Sequence, residues 1–278
     1  MTAVSLSDPA PLLDELRAVA RRAGDVILEF YAGPEEERRE LGLRRKEDQS
    51  PVTAADEAAE RLILPVLEAL LPGVPIVAEE AMATGHAPDI GGPDNPRHRF
   101  WLVDPLDGTK EFLSGNGEFT VNIALVESGR PVLGVVHLPV LNETYSGALA
   151  FGDRPARATV QRGDAPPQPI AARRCPASGA VVVASRSHRN KEALEAFLAT
   201  QQVAEQRIAG SSLKFCLIAE GVADLYPRFG RTMEWDTAAG HAVLAAAGGS
   251  VVTLDGQELR YGKPDFANPH FIARGRTD

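Results

Sequence analysis

Four apolar residues, Phe100-Trp-Leu-Val103, run without a break into Asp104-Pro-Leu-Asp-Gly-Thr109. A run that short and apolar reads as a buried strand. Pro105 has no N–H and a fixed φ, so strand pairing is expected to end there in a turn. Asp104 and Asp107 can then converge on one point, with the carbonyl of Leu106 between them. Gly108-Thr109 follows as a flexible turn able to aim backbone N–H groups at an anion, above all if a helix starts there. A plain Asx-turn with capping would use the same residues.

The flanking sequence supplies more strands and helices. Pro11 to Tyr31 has an apolar rhythm of three to four residues and reads as an amphipathic helix ended by Gly33-Pro34. The charged residues 35–50 read as a solvated loop. A second helix is expected from Thr53 or Ala54 to Leu71, interrupted or kinked at Pro65. Val74 to Ala78 reads as a short strand and residues 83–98 as a loop. Phe119 to Glu127 and Pro131 to Pro139 read as two strands of a hairpin. Residues 152–169, rich in Pro and Gly, are expected to mark a seam between two parts. Beyond it come a strand at Ala180–Ala184, helices at 192–200 and 213–221, a strand at 224–226 and a small-residue helix at Asp236–Ala247. This irregular alternation predicts layered α/β sheets. Neither GxGxxG after a strand nor GxxxxGK[ST] is present, so those two nucleotide-binding loops are excluded.

At 278 residues the chain has room for roughly two domains or one large one. With 44% hydrophobic and 24% charged residues, it can build a sizeable core. There are 29 basic and 38 acidic residues, a net charge of −9, which argues against general nucleic-acid binding. Cys175 and Cys216 form neither a CxxC pair nor a zinc spacing, and reduced thiols in a cytoplasm are the simpler reading. No secretory signal and no membrane-length apolar run is visible in the sequence.

Other carboxylates join Asp104 and Asp107. Glu79-Glu80 follows the strand at 74–78, Asp236 follows Trp235, and Asp56 sits at the start of the second helix. Alone, each could be a surface residue or a helix cap. Several meeting at one point would repel one another unless a cation binds. All-oxygen ligands favour Mg²⁺, Mn²⁺ or Ca²⁺ over zinc.

Three motifs in this order, Glu79-Glu80, Asp104-Pro-Leu-Asp-Gly-Thr109 and Trp235-Asp236, resemble those of the inositol monophosphatase superfamily of Mg²⁺-dependent, lithium-sensitive phosphatases. The resemblance runs from about Leu12 to Phe271. Lys110-Glu111-Phe112, Ser50-Pro-Val-Thr-Ala-Ala-Asp56, Ser185-Arg-Ser-His188 and Gly210-Ser-Ser-Leu-Lys214 look most like its bisphosphate nucleotidase branch.

The resemblance implies a layered α-β-α-β-α sandwich. Residues 1–151 would form an N-terminal α+β part with most metal ligands. Residues 152–278 would form a C-terminal α/β part with Asp236 and the substrate-binding residues. Glu79, Asp104 and the Leu106 carbonyl would hold one Mg²⁺, and Asp104, Asp107 and Asp236 a second. Glu80 would lie outside them, near a third, weaker ion. Thr109 and Asp56 would orient and deprotonate the attacking water. The N–H groups of Gly108 and Thr109 would meet the scissile phosphate, with Glu79, Leu106, Asp107 and Asp236 also facing the substrate. Ser211, Lys214 and Arg228 would hold a second phosphate and His188 would lie near the nucleoside. His241 is expected to be structural. The expected reaction is hydrolysis of adenosine 3′,5′-bisphosphate to AMP and phosphate, a step that clears a by-product of sulfate assimilation. Inositol monophosphate or fructose bisphosphate hydrolysis is the alternative. A cytoplasmic monomer or homodimer is expected, with peripheral attachment to the inner membrane left open.

Overall fold

The structure is a computed structural model and describes residues 9–33, 44–45, 51–52, 54–91, 98–186 and 190–277. Helix α1 (Pro9–Tyr31) is followed by a two-residue ladder of β1 (Arg44–Arg45) and β2 (Pro51–Val52). Helix α2 (Ala54–Leu70) continues through Pro65. Next come β3 (Ile76–Ala78), α3 (Glu79–Ala83), β4 (Arg99–Asp107) and α4 (Thr109–Ser114). Strands β5 (Thr120–Glu127), β6 (Arg130–Leu138), β7 (Glu143–Ala148), β8 (Arg157–Arg162) and β9 (Gln168–Pro169) complete a seven-stranded sheet in sequential order. Only the β3–β4 pair in that sheet is parallel.

A second, five-stranded sheet has the order β11-β10-β12-β14-β13. Its strands are β10 (Ala180–Ala184), β11 (Val203–Ile208), β12 (Leu225–Arg228), β13 (Ser250–Thr253) and β14 (Phe271–Arg274). Helices α5 (Lys191–Leu198), α6 (Leu213–Ala219) and α7 (Ala238–Ala246) belong to this half of the chain.

Three cores separate five layers. One lies between α1/α2 and the seven-stranded sheet and includes Leu16, Ile27, Ile63, Leu67, Trp101 and Phe112. The second fills the space between the two sheets around α6 and α7, with Phe215, Tyr226 and Phe271 in ring contact. The third packs Phe197 and Leu198 of α5 against Val182, Leu225 and Ile272. Each large apolar side chain so buried contributes roughly 1.5–3 kcal/mol. The expected α-β-α-β-α sandwich is therefore the observed architecture.

Small residues decide how close the middle layer sits. A Cβ on Gly134 would lie 2.5 Å from the Ala239 carbonyl oxygen, and one on Gly147 would lie 2.6 Å from the Val243 Cα. The Ala-rich face of α7 thus rests directly on the backbone of β6 and β7, which fixes the helix that follows Asp236.

Three sequence expectations need correction. Pro105 does not end the strand. Asp104 pairs with Asn122 and Asp107 with Thr120, so Pro105 and Leu106 face Val121 alone as a bulge within β4. A proline costs only one N–H, and the bulge supplies a position where none is needed. Asp236 does not open α7; it lies in the turn before it, with Thr237 at the N-cap. Residues 152–169, read as a seam, instead carry β8 and β9, which extend the seven-stranded sheet. Most of the charged stretch 35–50 lies outside the described residues.

Candidate active site

The bulge keeps Asp104 and Asp107 on one strand while turning both towards the same space. Asp104 is buried, and its Oδ1 accepts the Leu106 N–H at 3.1 Å, so the Asx-turn is formed as well. Asp107 lies 3.3 Å from Asn122 Nδ2 and 3.4 Å from the Thr120 hydroxyl. Asn122 also donates to Ser212 Oγ at 3.1 Å, and Ser212 donates to the Asp236 carbonyl at 2.7 Å. A short polar chain therefore links Asp107 in the first sheet to Asp236 in the turn before α7. The Asp236 carboxylate accepts the Met233 N–H at 2.9 Å.

Burial and mutual repulsion raise these acids together. Burial pushes the Asp104 carboxyl well up, and Glu79, Asp107 and Asp236 push it further; Glu79 also hydrogen-bonds it. Burial and the charges of Asp107 and Glu79 likewise raise Asp236. Asp107 rises to about 6 through burial, held back mainly by Lys214. The donor set is all oxygen, and its members destabilise one another's ionised forms, which fits a hard divalent cation. Among the described residues, no three His, Cys, Asp or Glu side chains are so placed that they could hold a metal ion as they stand.

Glu79 and Glu80 open α3 directly after β3, beside Asp104 on the neighbouring strand. The Glu80 N–H donates to Glu60 Oε2 at 3.0 Å. Glu60 lies one turn after Asp56 on α2, so the two acids share a helix face. Asp56 is buried in the first turn of α2. β2, which precedes α2, packs beside α4, whose first residue is Thr109. Gly108 caps α4 with φ 95°. A Cβ there would lie 2.2 Å from Ser211 Oγ, so this position needs glycine twice over.

Cations share the cleft with the acids. Asp107, Gly108, Glu111 and Asp236 line it together with Arg186, Ser211, Lys214 and Arg228. Lys214 is buried, donates to the Ala209 and Ser211 carbonyls at 3.2 and 2.5 Å, and lies over the Tyr226 ring. Burial lowers its ammonium to about 8 against the pull of Asp107. Arg228 donates to Ser185 Oγ and to the Arg231 carbonyl, while its buried Nε has no hydrogen-bond partner among the described residues. Ser211 adopts φ 46°, and its hydroxyl donates to the Asp107 and Glu118 carbonyls, both at 2.8 Å. That hydroxyl is committed to backbone, where the sequence suggested a phosphate contact. His188 lies outside the described residues.

The model of the "Inositol monophosphatase family" matches residues 8–276. The chain belongs to that family. It is a typically metal-dependent family. The chain is 46% identical over 268 residues to the 3′(2′),5′-bisphosphate nucleotidase CysQ of Escherichia coli (strain K12), covering 94% of this chain and 98% of the relative. It is 45% identical over 266 residues to the protein of the same name from Salmonella typhimurium, again covering 94% of this chain and 98% of the relative. Among solved structures, CysQ from Bacteroides thetaiotaomicron superposes with a TM-score of 0.73 at 36% identity, covering 95% of this chain and 98% of that one. An inositol monophosphatase from Anabaena gives a TM-score of 0.71 at 27% identity, covering 96% and 92%.

Sequence reasoning gave no site role to Glu60, Asn122 and Glu118, although the last two fall in the segment Asn116 to Leu125 that shares in the family resemblance. Glu60 had a local signal: a second acid four residues after Asp56 on a face otherwise made of Ala55, Ala59, Ile63 and Leu67. Asn122 and Glu118 act across distances in sequence that carry no local pattern. His241, buried on α7 and bonded through Nδ1 to the Tyr261 hydroxyl at 3.0 Å, is structural as expected.

Proposed function

We propose that this chain is a Mg²⁺-dependent 3′(2′),5′-bisphosphate nucleotidase that hydrolyses adenosine 3′,5′-bisphosphate to AMP and phosphate, serving sulfate assimilation. One observation carries the choice of substrate: a single cleft is lined by the carboxylates of Asp107 and Asp236 and by the cations Lys214, Arg228 and Arg186. A substrate with two phosphates matches both sets, one phosphate at the carboxylate-bound metals and one at the cations. The strong likeness to the CysQ nucleotidases supports the same reading.

Glu79, Asp104, the Leu106 carbonyl, Asp107 and Asp236 would hold two Mg²⁺ ions, with Glu80 near any third. Bound there, the metal neutralises the carboxylates, polarises the scissile phosphate and lowers the pKa of water. The protein's part is positioning. Asp56 and Thr109 hold the attacking water and accept its proton. The N–H groups of Gly108 and Thr109 face the non-bridging oxygens of the scissile phosphate. As water attacks phosphorus in line, the P–O3′ bond breaks and the 3′ oxygen takes up a proton from solvent, which balances the one passed from the attacking water to Asp56 and Thr109. Lys214 and Arg228 grip the remaining phosphate, the arginine through its planar fork. His188 is assigned to the nucleoside.

A panel of adenosine 3′,5′-bisphosphate, inositol monophosphate and fructose bisphosphate, compared by kcat/KM with Mg²⁺ and with EDTA, tests this. The bisphosphate nucleotide should lead, and EDTA should abolish turnover. Preference for either sugar phosphate overturns the substrate; full activity in EDTA overturns the chemistry.

A further inference from the structure

Glu118 touches three residues that line the cleft. Its Oε2 accepts from Arg186 Nη2 at 2.6 Å and from the Gly210 N–H at 2.9 Å. Its carbonyl accepts the Ser211 hydroxyl, which also holds the Asp107 carbonyl. Its own N–H is bound by Asn116 Oδ1 at 2.9 Å, so the loop before β5 is itself fixed. Arg186, Gly210 and Ser211 all line the cleft; Glu118 does not.

The arrangement is more than a surface ion pair. An exposed pair alone is worth little. Here one carboxylate oxygen fixes an arginine at the cleft mouth and a backbone turn in its wall. Arg186 spends one N–H on Glu118, which leaves donors of its fork for an anion in the cleft. A guanidinium already held in place loses less freedom when a phosphate arrives.

We propose that Arg186 is a further contact for the phosphate that stays on the product, and that Glu118 is the positioning residue that aims it. This deepens the nucleotidase reading and rests on it. Glu118 touches no substrate; it acts through Arg186. The recognised group is a phosphate monoester on a nucleoside, held by the cations that line the cleft.

The test uses the full-length protein with Arg186→Ala, Glu118→Gln and the double variant. Glu118→Gln keeps a carbonyl oxygen for the Gly210 N–H and removes the charge that holds Arg186. The readouts are KM and kcat for adenosine 3′,5′-bisphosphate, the calorimetric Kd for AMP, and the Kd for inorganic phosphate. Arg186→Ala should raise KM and the AMP Kd at least tenfold with kcat within threefold, and leave the phosphate Kd within threefold. Glu118→Gln should raise the same two constants severalfold, and add nothing in the Arg186→Ala background. Equal weakening of AMP and inorganic phosphate, a loss confined to kcat, or an additive double variant overturns the proposal. If the wild-type protein does not turn over the bisphosphate, the nucleotidase reading fails instead.

Discussion

Lys263 Nζ lies 2.5 Å from Oε1 of Glu234, a fully buried carboxylate two residues before Asp236. The same carboxylate accepts the N–H groups of Gly262 and Lys263 at 2.7 and 3.0 Å. Asn268 completes the clamp by donating to the Met233 carbonyl at 2.7 Å. The loop at 262–268 therefore holds the turn that presents Asp236.

Removing the acid should be costly. Glu234→Ala strips an acceptor from two backbone donors and an ammonium, and should destabilise the protein by about 3 kcal/mol or more. Lys263→Met leaves Glu234 with its two backbone donors and should cost roughly half as much. Urea midpoints measure both, and equal losses would contradict the assignment of the backbone donors.

Asp104→Asn should separate chemistry from folding. Turnover should fall on the order of a hundredfold or more, because an anionic oxygen at the charged centre is lost. Stability in EDTA should not fall, because the neutral amide removes repulsion with Glu79, Asp107 and Asp236 and still accepts the Leu106 N–H. In thermal melts, each Mg²⁺ site filled at a hundredfold over its Kd should stabilise wild type by about 2.7 kcal/mol. The variant should lose most of that gain.

Acid should act on stability through the buried imidazoles. Burial holds both His137 and His241 neutral, with pKa about 4 in the folded state against 6.5 for the free side chain. The unfolded chain binds these protons first. The two imidazoles therefore withdraw stability as pH drops from about 6.5 to about 4, by roughly 3 kcal/mol each at most, against the opposite contribution of the raised Asp104, Asp107 and Asp236. Urea titrations of wild type and His241→Gln isolate the histidine share: the stability lost by wild type relative to the variant should grow as pH drops across this range.

Gly134→Ala and Gly147→Ala should each destabilise by about 1–3 kcal/mol, since the new methyl meets α7 backbone atoms rather than a movable side chain. Chemical denaturation reads this directly. A neutral result at both sites would mean that α7 can be displaced from the sheet.

The sequence made some of this plain and hid the rest, for physical reasons. Asp104, Asp107 and Gly108 were legible because chemistry and turn propensity fall within six residues. α1 and α2 were legible because their apolar faces repeat at helical spacing. β11 was not: it is a sheet-edge strand whose Glu205 and Arg207 pair with each other in solvent, so it has no buried face to announce it. β7 was hidden by burial of polar residues, among them Thr144 bonded to His137 and Ser146 bonded to Thr159. Ser211 was assigned to the right cleft, but its hydroxyl is committed to carbonyls 104 and 93 residues away. No local pattern encodes such partners.

The bulge at Pro105-Leu106 has a consequence for how this protein can change. Asp104 and Asp107 are mounted on a strand locked into its neighbours on both sides of the bulge, so their spacing is held by the sheet itself. The cationic lining is mounted differently, on the end of β10, the Gly210–Ser211 turn and the end of β12. Substitutions there can alter which molecule is held without moving the hydrolytic centre. A lineage can exchange its substrates while inheriting its reaction.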